Sequence, residues 1–179
     1  MANQDAAFGF RPIGKVGQNR DNQGLSEYNI AASASAIFQN DPVQFLATGT
    51  IGVANTTTAV LLGSLNGVFF TDATDQKPRW ANHLAAANAA TDIVGFVSDD
   101  PYERFEVQSS TTLVIADIGL NADISYTAGT SPNFVSKVEV DTTSANMTTA
   151  TAQFRVLGVT KDINNNELDQ AQSGDIVWR

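Results

Sequence analysis

The pattern of apolar and polar positions between Thr91 and Gln108 changes once, and the change predicts two strands. Ile93, Val94, Phe96 and Val97 form a nearly continuous apolar run, as in a strand covered on both faces. Asp99, Asp100 and Pro101 then break it, because proline has no backbone N–H and restricts the residue before it. From Glu103 the pattern alternates, with Phe105 and Val107 on one side and Arg104, Glu106 and Gln108 on the other. The stretch therefore predicts a hairpin. Other strand candidates recur at short spacing. Tyr28, Ile30 and Ala32 alternate with Glu27 and Asn29; Ile37 and Phe38 lead through the turn Asn40-Asp41-Pro42 into Val43 to Leu46. Val60 to Leu62 and Val68 to Phe70 flank Asn66-Gly67, the dipeptide favoured in type I′ hairpin turns. Leu113 to Ile115, Val138 with Val140, a buried run from Phe154 to Val159, and Ile176 to Trp178 follow. This spacing predicts an all-β or mainly β fold, a compact sandwich or small barrel-like domain. Trp80 to Ala90 is alanine-rich and predicts a short helix or a loop.

Residues 1–24 differ from the rest. They carry Gly9, Gly14, Gly17 and Gly24 and no periodic apolar pattern, with Phe8, Phe10, Pro12 and Ile13 as isolated apolar points. One reading is a loosely ordered terminus. The other is an extended, flexible N-terminal arm that docks on a partner or neighbouring subunit, since burying each phenylalanine is worth roughly 1.5–3 kcal/mol. Residues 25–179 then form a single β-rich domain.

A length of 179 residues fits one domain, or one domain plus an arm. With no cysteine, disulfides, thiolate metal sites and cysteine nucleophiles are excluded together. Ten basic and nineteen acidic side chains give a net charge of −9, which opposes non-specific nucleic-acid binding. Charged residues are only 16% of the chain, so its polar surface must come from Thr, Ser, Asn and Gln, which suits β structure. The opening MANQDAAFGFRPIG lacks the basic and apolar regions of a secretory signal, and no window approaches the ~18 apolar residues of a membrane span. The sequons at Asn55 and Asn146 are then expected products of a threonine-rich chain.

Candidate chemistry is sparse. His83 is the single histidine, and no Gly-x-Ser-x-Gly elbow presents a nucleophile. Asp99-Asp100, Asp72 with Asp75, and Asp117 with Asp123 are carboxylate pairs beside turns, where solvated turn residues are expected; paired acids across a cleft would be needed for sugar hydrolysis. Asp162 to Asp169 begins like a calcium loop but has Glu167 where glycine is required and Ser173 where the closing glutamate belongs. Neither Lys15, Lys77 nor Lys161 lies in a phosphate-loop frame. The expectation is a chain with no catalytic residue, metal, cofactor or small-molecule substrate.

Five segments in order carry a resemblance: FGFRPIG at Phe8 to Gly14, EYNIAASASAIFQNDPVQF at Glu27 to Phe45, DIVGFVSDDPYERFEVQ at Asp92 to Gln108, IADIGLNADI at Ile115 to Ile124, and FRVLGVTKDINN at Phe154 to Asn165. Together they span most of the chain, and their order resembles the head decoration (cement) proteins of tailed bacteriophages. The resemblance implies a non-enzymatic, β-rich virion protein, often a homotrimer. Such a protein assembles in the host cytoplasm on the outside of the capsid, near local three-fold axes, and clamps major capsid subunits. The capsid- or subunit-binding residues expected are Phe8, Phe10, Arg11, Pro12 and Ile13. The alternative is a carbohydrate-binding or adhesive β-module of a phage fibre or tail. It would need an exposed aromatic platform drawn from Trp80, Trp178, Tyr102 and Tyr126, with Trp80 beside a tyrosine.

Overall fold

The computed structural model describes residues 5–17, 24–143, 146–148, 151–160 and 174–178. The expected calcium-like stretch Asp162 to Asp169 and the Trp178 side chain lie outside the described residues. The chain is mainly β. In order its strands are β1 (Arg11–Lys15), β2 (Ser26–Asn29), β3 (Pro42–Phe45), β4 (Ile51–Val53), β5 (Leu61–Thr71), β6 (Pro78–Ala81), β7 (Val94–Ser98), β8 (Glu103–Val107), β9 (Asn121–Ala122), β10 (Ile124–Ser125), β11 (Glu139–Val140), β12 (Phe154–Val159) and β13 (Gly174–Trp178). They build a five-stranded sheet in the order β1-β8-β13-β12-β9, a two-stranded ribbon β10-β11, and a six-stranded sheet β2-β7-β5-β3-β4 with β6 on β5. All pairings between these strands are antiparallel.

Each large sheet has its own core. Phe10, Phe105, Val107, Phe154 and Val156 of the five-stranded sheet pack with Ile124, Val138 and Val140 from and beside the ribbon. The six-stranded sheet curls around Ile30, Val43, Ile51, Leu65, Val68 and Val97. Its ends come together at a single parallel bridge, Ile30 to Ile51, so it is barrel-like without closing.

Strand β5 organises this second body. One edge carries β3 and β6, and the other carries β7. Asn66-Gly67 is not a hairpin turn but lies inside β5, where Leu65 pairs with Val97 and Gly67 with Phe96, leaving Asn66 as an extra residue. Such a bulge reverses side-chain parity. Leu65 and Val68, three apart, consequently both point into the core and are fully buried. Pairing on both edges of β5 outweighs the local turn preference of the dipeptide.

Several other expectations change. β7 and β8 do not pair: β7 lies between β2 and β5, and β8 between β1 and β13. The predicted hairpin is a corner between sheets. The acidic turn forms as expected, but each flanking strand finds its partners elsewhere. Leu113 is buried outside any strand, and Ile115–Asp117 forms a 3₁₀ turn whose N-terminal Val114 N–H is held by the Asp117 carboxylate at 2.8 Å. Phe154–Val159 alternates buried and exposed positions instead of being buried throughout. Trp80 and Ala81 end strand β6, and the alanines beyond take the loop alternative, with Ala87 at φ 57°.

Candidate functional site

The expected binding residues lie on and beside β1, the open edge of the five-stranded sheet. Residues 10–15 nevertheless belong to the body, which corrects the boundary expected at residue 24. Phe10 is fully buried, its ring stacked on Phe154 at 4.5 Å and edge-on to Phe105 at 6.1 Å. Its backbone is held as firmly: Phe10 N–H donates to the Asn40 carbonyl at 2.9 Å, and Ser64 Oγ donates to the Phe10 carbonyl at 2.7 Å. Phe10 is therefore an anchor in its own chain and cannot fill a partner's pocket. The preceding residues are tied down too. Gln108, itself buried, accepts the Ala6 N–H at 2.9 Å and donates to Asp5 at 2.6 Å and to Glu139 at 2.9 Å.

The other four expected residues stay at the surface. Arg11 is exposed, pairs with Glu106 and lies 4.8 Å over the half-buried Phe8 ring. Pro12 and Ile13 are half-buried. A bulge between Pro12 and Gly14 and the missing Pro12 N–H interrupt the outer ladder of hydrogen-bonding groups, devices that limit indiscriminate edge pairing.

The Asp99-Asp100 corner joins the two sheets through opposite partners. Asp99 accepts from Ser26 Oγ at 2.9 Å and Tyr28 Oη at 2.5 Å, both on β2. Asp100 holds Lys15 of β1 and accepts the Tyr102 N–H at 2.8 Å. The Lys15 hydrogen bond, then the Tyr102 N–H, hold the Asp100 carboxyl below its usual range. Hydrogen bonding to the Asp99 carboxylate, with burial, raises the Tyr28 phenol. Glu103, first residue of β8, is buried; burial raises its carboxyl, and Ser98 Oγ is its donor at 3.3 Å.

At the junction of the two cores, Asp41 is fully buried. Desolvation pushes it up to about 6, with hydrogen bonds from Ser136 and the Phe38 N–H opposing. Tyr126 close by is pushed up to about 12 by burial and then by the Asp41 charge. Asp41 reads in the sequence as an ordinary turn residue before Pro42, and Tyr126, expected as a candidate for an exposed aromatic platform, is instead half-buried against the first core.

The remaining candidates have structural partners. His83 is stacked on Phe134 at 3.9 Å and faces Phe38 at 6.2 Å, and burial lowers its imidazole. Asp72 and Asp75 both clamp Arg79, at 2.8 and 3.0 Å. Asp117 caps its own turn, while Asp123 accepts the Gln153 N–H at 3.0 Å. Among the described residues no group of three or more His, Asp or Glu side chains is placed to hold a metal ion.

Of the expected aromatic candidates, Trp80 is 60% exposed and Tyr102 69% exposed, on different parts of the chain. Trp80 has phenylalanines and not a tyrosine for neighbours: Phe96 at 4.4 Å and Phe69 directly across the strand pair. A Cβ on Gly67 would touch the indole at 3.4 Å and come within 3.1 Å of the Ala81 carbonyl, so the tight contact here is with the β6 backbone.

No protein-family model matches this chain, and no curated protein or solved structure is significantly similar to it.

Proposed function

We propose that this chain is a structural protein of a phage virion. It binds the outside of an assembled capsid as a homotrimer and stabilises it by bridging major capsid subunits. The five ordered segments that resemble head decoration proteins suggest the class. The structural observation that supports the reading is the open β1 edge, which presents Arg11, Pro12 and Ile13 on a strand fixed from behind by Phe10. A pre-ordered edge can present these side chains to a neighbour with little further loss of conformational freedom.

A ligand that binds only the intact lattice stabilises it by mass action, by about 2.7 kcal/mol per site at a hundredfold excess over its dissociation constant. Repeated over many sites, weak contacts reinforce a shell. Capsids lacking the chain should bind it on co-sedimentation and then withstand higher temperature. Ile13→Asp, which puts a charge on the open edge, should abolish co-sedimentation while the chain stays folded. Decorated and bare capsids that lose their DNA at the same temperature would remove the proposal.

A further inference from the structure

Lys15, the last residue of β1, stands directly opposite Glu103, the first residue of β8. Opposite residues of an antiparallel pair share a face, with Cβ atoms about 4.5–5.5 Å apart. Here it is the inner face, which Phe105 and Val107 also occupy. The turn before β8 closes with the Glu103 N–H donating to the Asp100 carbonyl at 3.0 Å, which brings Asp100 to the same end of the strand pair. Lys15 Nζ donates to Asp100 Oδ2, and the two side chains are mostly covered, 16% and 30% exposed.

Glu103 is fully enclosed beside this pair. Its Oε2 accepts from Ser98 Oγ at 3.3 Å, while its buried Oε1 has no partner among the described residues. Burying a carboxyl with an unpaired oxygen costs free energy that an apolar side chain would not. Burial raises this carboxyl; the Ser98 hydrogen bond and the Lys15 charge oppose the rise, and the Asp100 charge adds to it. Glu103 therefore lies within electrostatic range of both members of the ion pair and is disposed to hold a proton.

We infer that Lys15 and Asp100 condense to an intramolecular isopeptide bond, with Glu103 as the proton carrier. The ion pair is one proton transfer away from a free amine and a carboxylic acid. The Nζ lone pair then attacks Asp100 Cγ, and the new C–N bond makes a tetrahedral centre. Its negative oxygen is Oδ1, which already accepts the Tyr102 N–H at 2.8 Å, a fixed donor of the kind that stabilises an oxyanion. Glu103 gives its proton to the Oδ2 hydroxyl and takes one from nitrogen on its other oxygen. The Cγ–Oδ2 bond breaks, water leaves, and Glu103 ends as it began. Nothing is oxidised or reduced. Holding the two groups in one geometry gives effective concentrations of about 10⁵ M or more, which favours a condensation that free groups in water do not undergo.

The test is the mass of the full chain, purified, incubated at neutral pH and then denatured. It should be one water short of the mass of its sequence. Tandem mass spectrometry of a tryptic digest should recover a branched peptide joining Lys15 to Asp100, uncut after Lys15. Asp100→Asn should lose ammonia in place of water and end at the same mass. Lys15→Arg keeps the charge without the nucleophilic amine, and should retain the full mass of its own sequence. Glu103→Gln, close in shape, should slow the linkage about a hundredfold or more, with circular dichroism showing that it folds. A wild-type chain of full mass would overturn the inference. So would a water lost equally from Lys15→Arg, or a folded Glu103→Gln chain that links as fast as wild type.

Discussion

Phe10 and Phe154, far apart in the sequence, stack ring on ring with centroids 4.5 Å apart and planes 15° from parallel. The contact brings the stretch before β1 into the core of the five-stranded sheet. Truncating Phe10 to alanine should therefore cost about 3–5 kcal/mol. For a chain of this size that is a fall of roughly 10 °C in melting temperature by calorimetry or circular dichroism. Phe8→Ala, at a half-buried ring, should lower it far less. Equal effects of the two would mean that Phe10 is not the anchor.

Gly9 has φ 73°, and a Cβ there would lie 2.4 Å from Ser136 Cβ and 2.5 Å from the Asn40 carbonyl. Gly9→Ala combines backbone strain with a clash against backbone. Urea unfolding should show a loss of about 2 kcal/mol or more. Gly17→Ala, at a similar φ with nothing nearby, should cost only the strain of about 1 kcal/mol.

Asp41 imposes a pH dependence opposite to the usual carboxylate. Its folded-state value, about 6, lies above its ordinary one near 3.8, so between these values the folded chain binds more protons than the unfolded one. Its contribution is fully favourable below about pH 4 and is lost as pH rises to about 6. Asp41→Asn should remove this component. The difference in unfolding free energy between variant and wild type should grow by about 2–3 kcal/mol from pH 4 to pH 7, in favour of the variant. A flat difference across that range would refute the assignment. Subtracting the two curves also cancels Asp72, Asp92, Asp100 and Asp141, whose lowered values act in the opposite direction.

Asp99→Ala leaves the Tyr28 hydroxyl and Ser26 Oγ without their shared acceptor. Unfolding should become easier by about 1–3 kcal/mol. Because the Asp99 hydrogen bond is the main cause of the raised Tyr28 phenol, a tyrosine titration by NMR should show it fall towards 10 in the variant. A Tyr28 titration that does not move would count against the corner contact.

The strands were legible where local chemistry settles them. The break at Pro101, the alternation after Glu103 and the turn before Pro42 stand as expected, and with them the mainly β class; the run Ile93 to Val97 does supply a strand, Val94–Ser98, but Val94 and Phe96 on one face are only half-buried. Pairing was not legible, because a turn that closes a hairpin and one that crosses between sheets use the same residues. Ser26, Tyr28 and Lys15, remote in sequence, hold the Asp99-Asp100 turn as a crossing. Asn66-Gly67 misled for a related reason: strands on both edges of β5 absorb the dipeptide as a bulge. Of the expected site, Arg11 and Ile13 lie at the surface, but Phe10 was misplaced because its partners, Phe105 and Phe154, come from other strands. Gln108 was assigned outward by extending the alternation one residue past the end of β8. The Arg79 clamp needed a turn to fold back on a strand, which no periodicity encodes.

The corner has a mechanical consequence. A tug on β1 passes through Lys15 into Asp100, and the adjoining Asp99 hands it on to Ser26 and Tyr28 of the other sheet. The corner thus couples the outermost strand of one sheet to the outermost strand of the other.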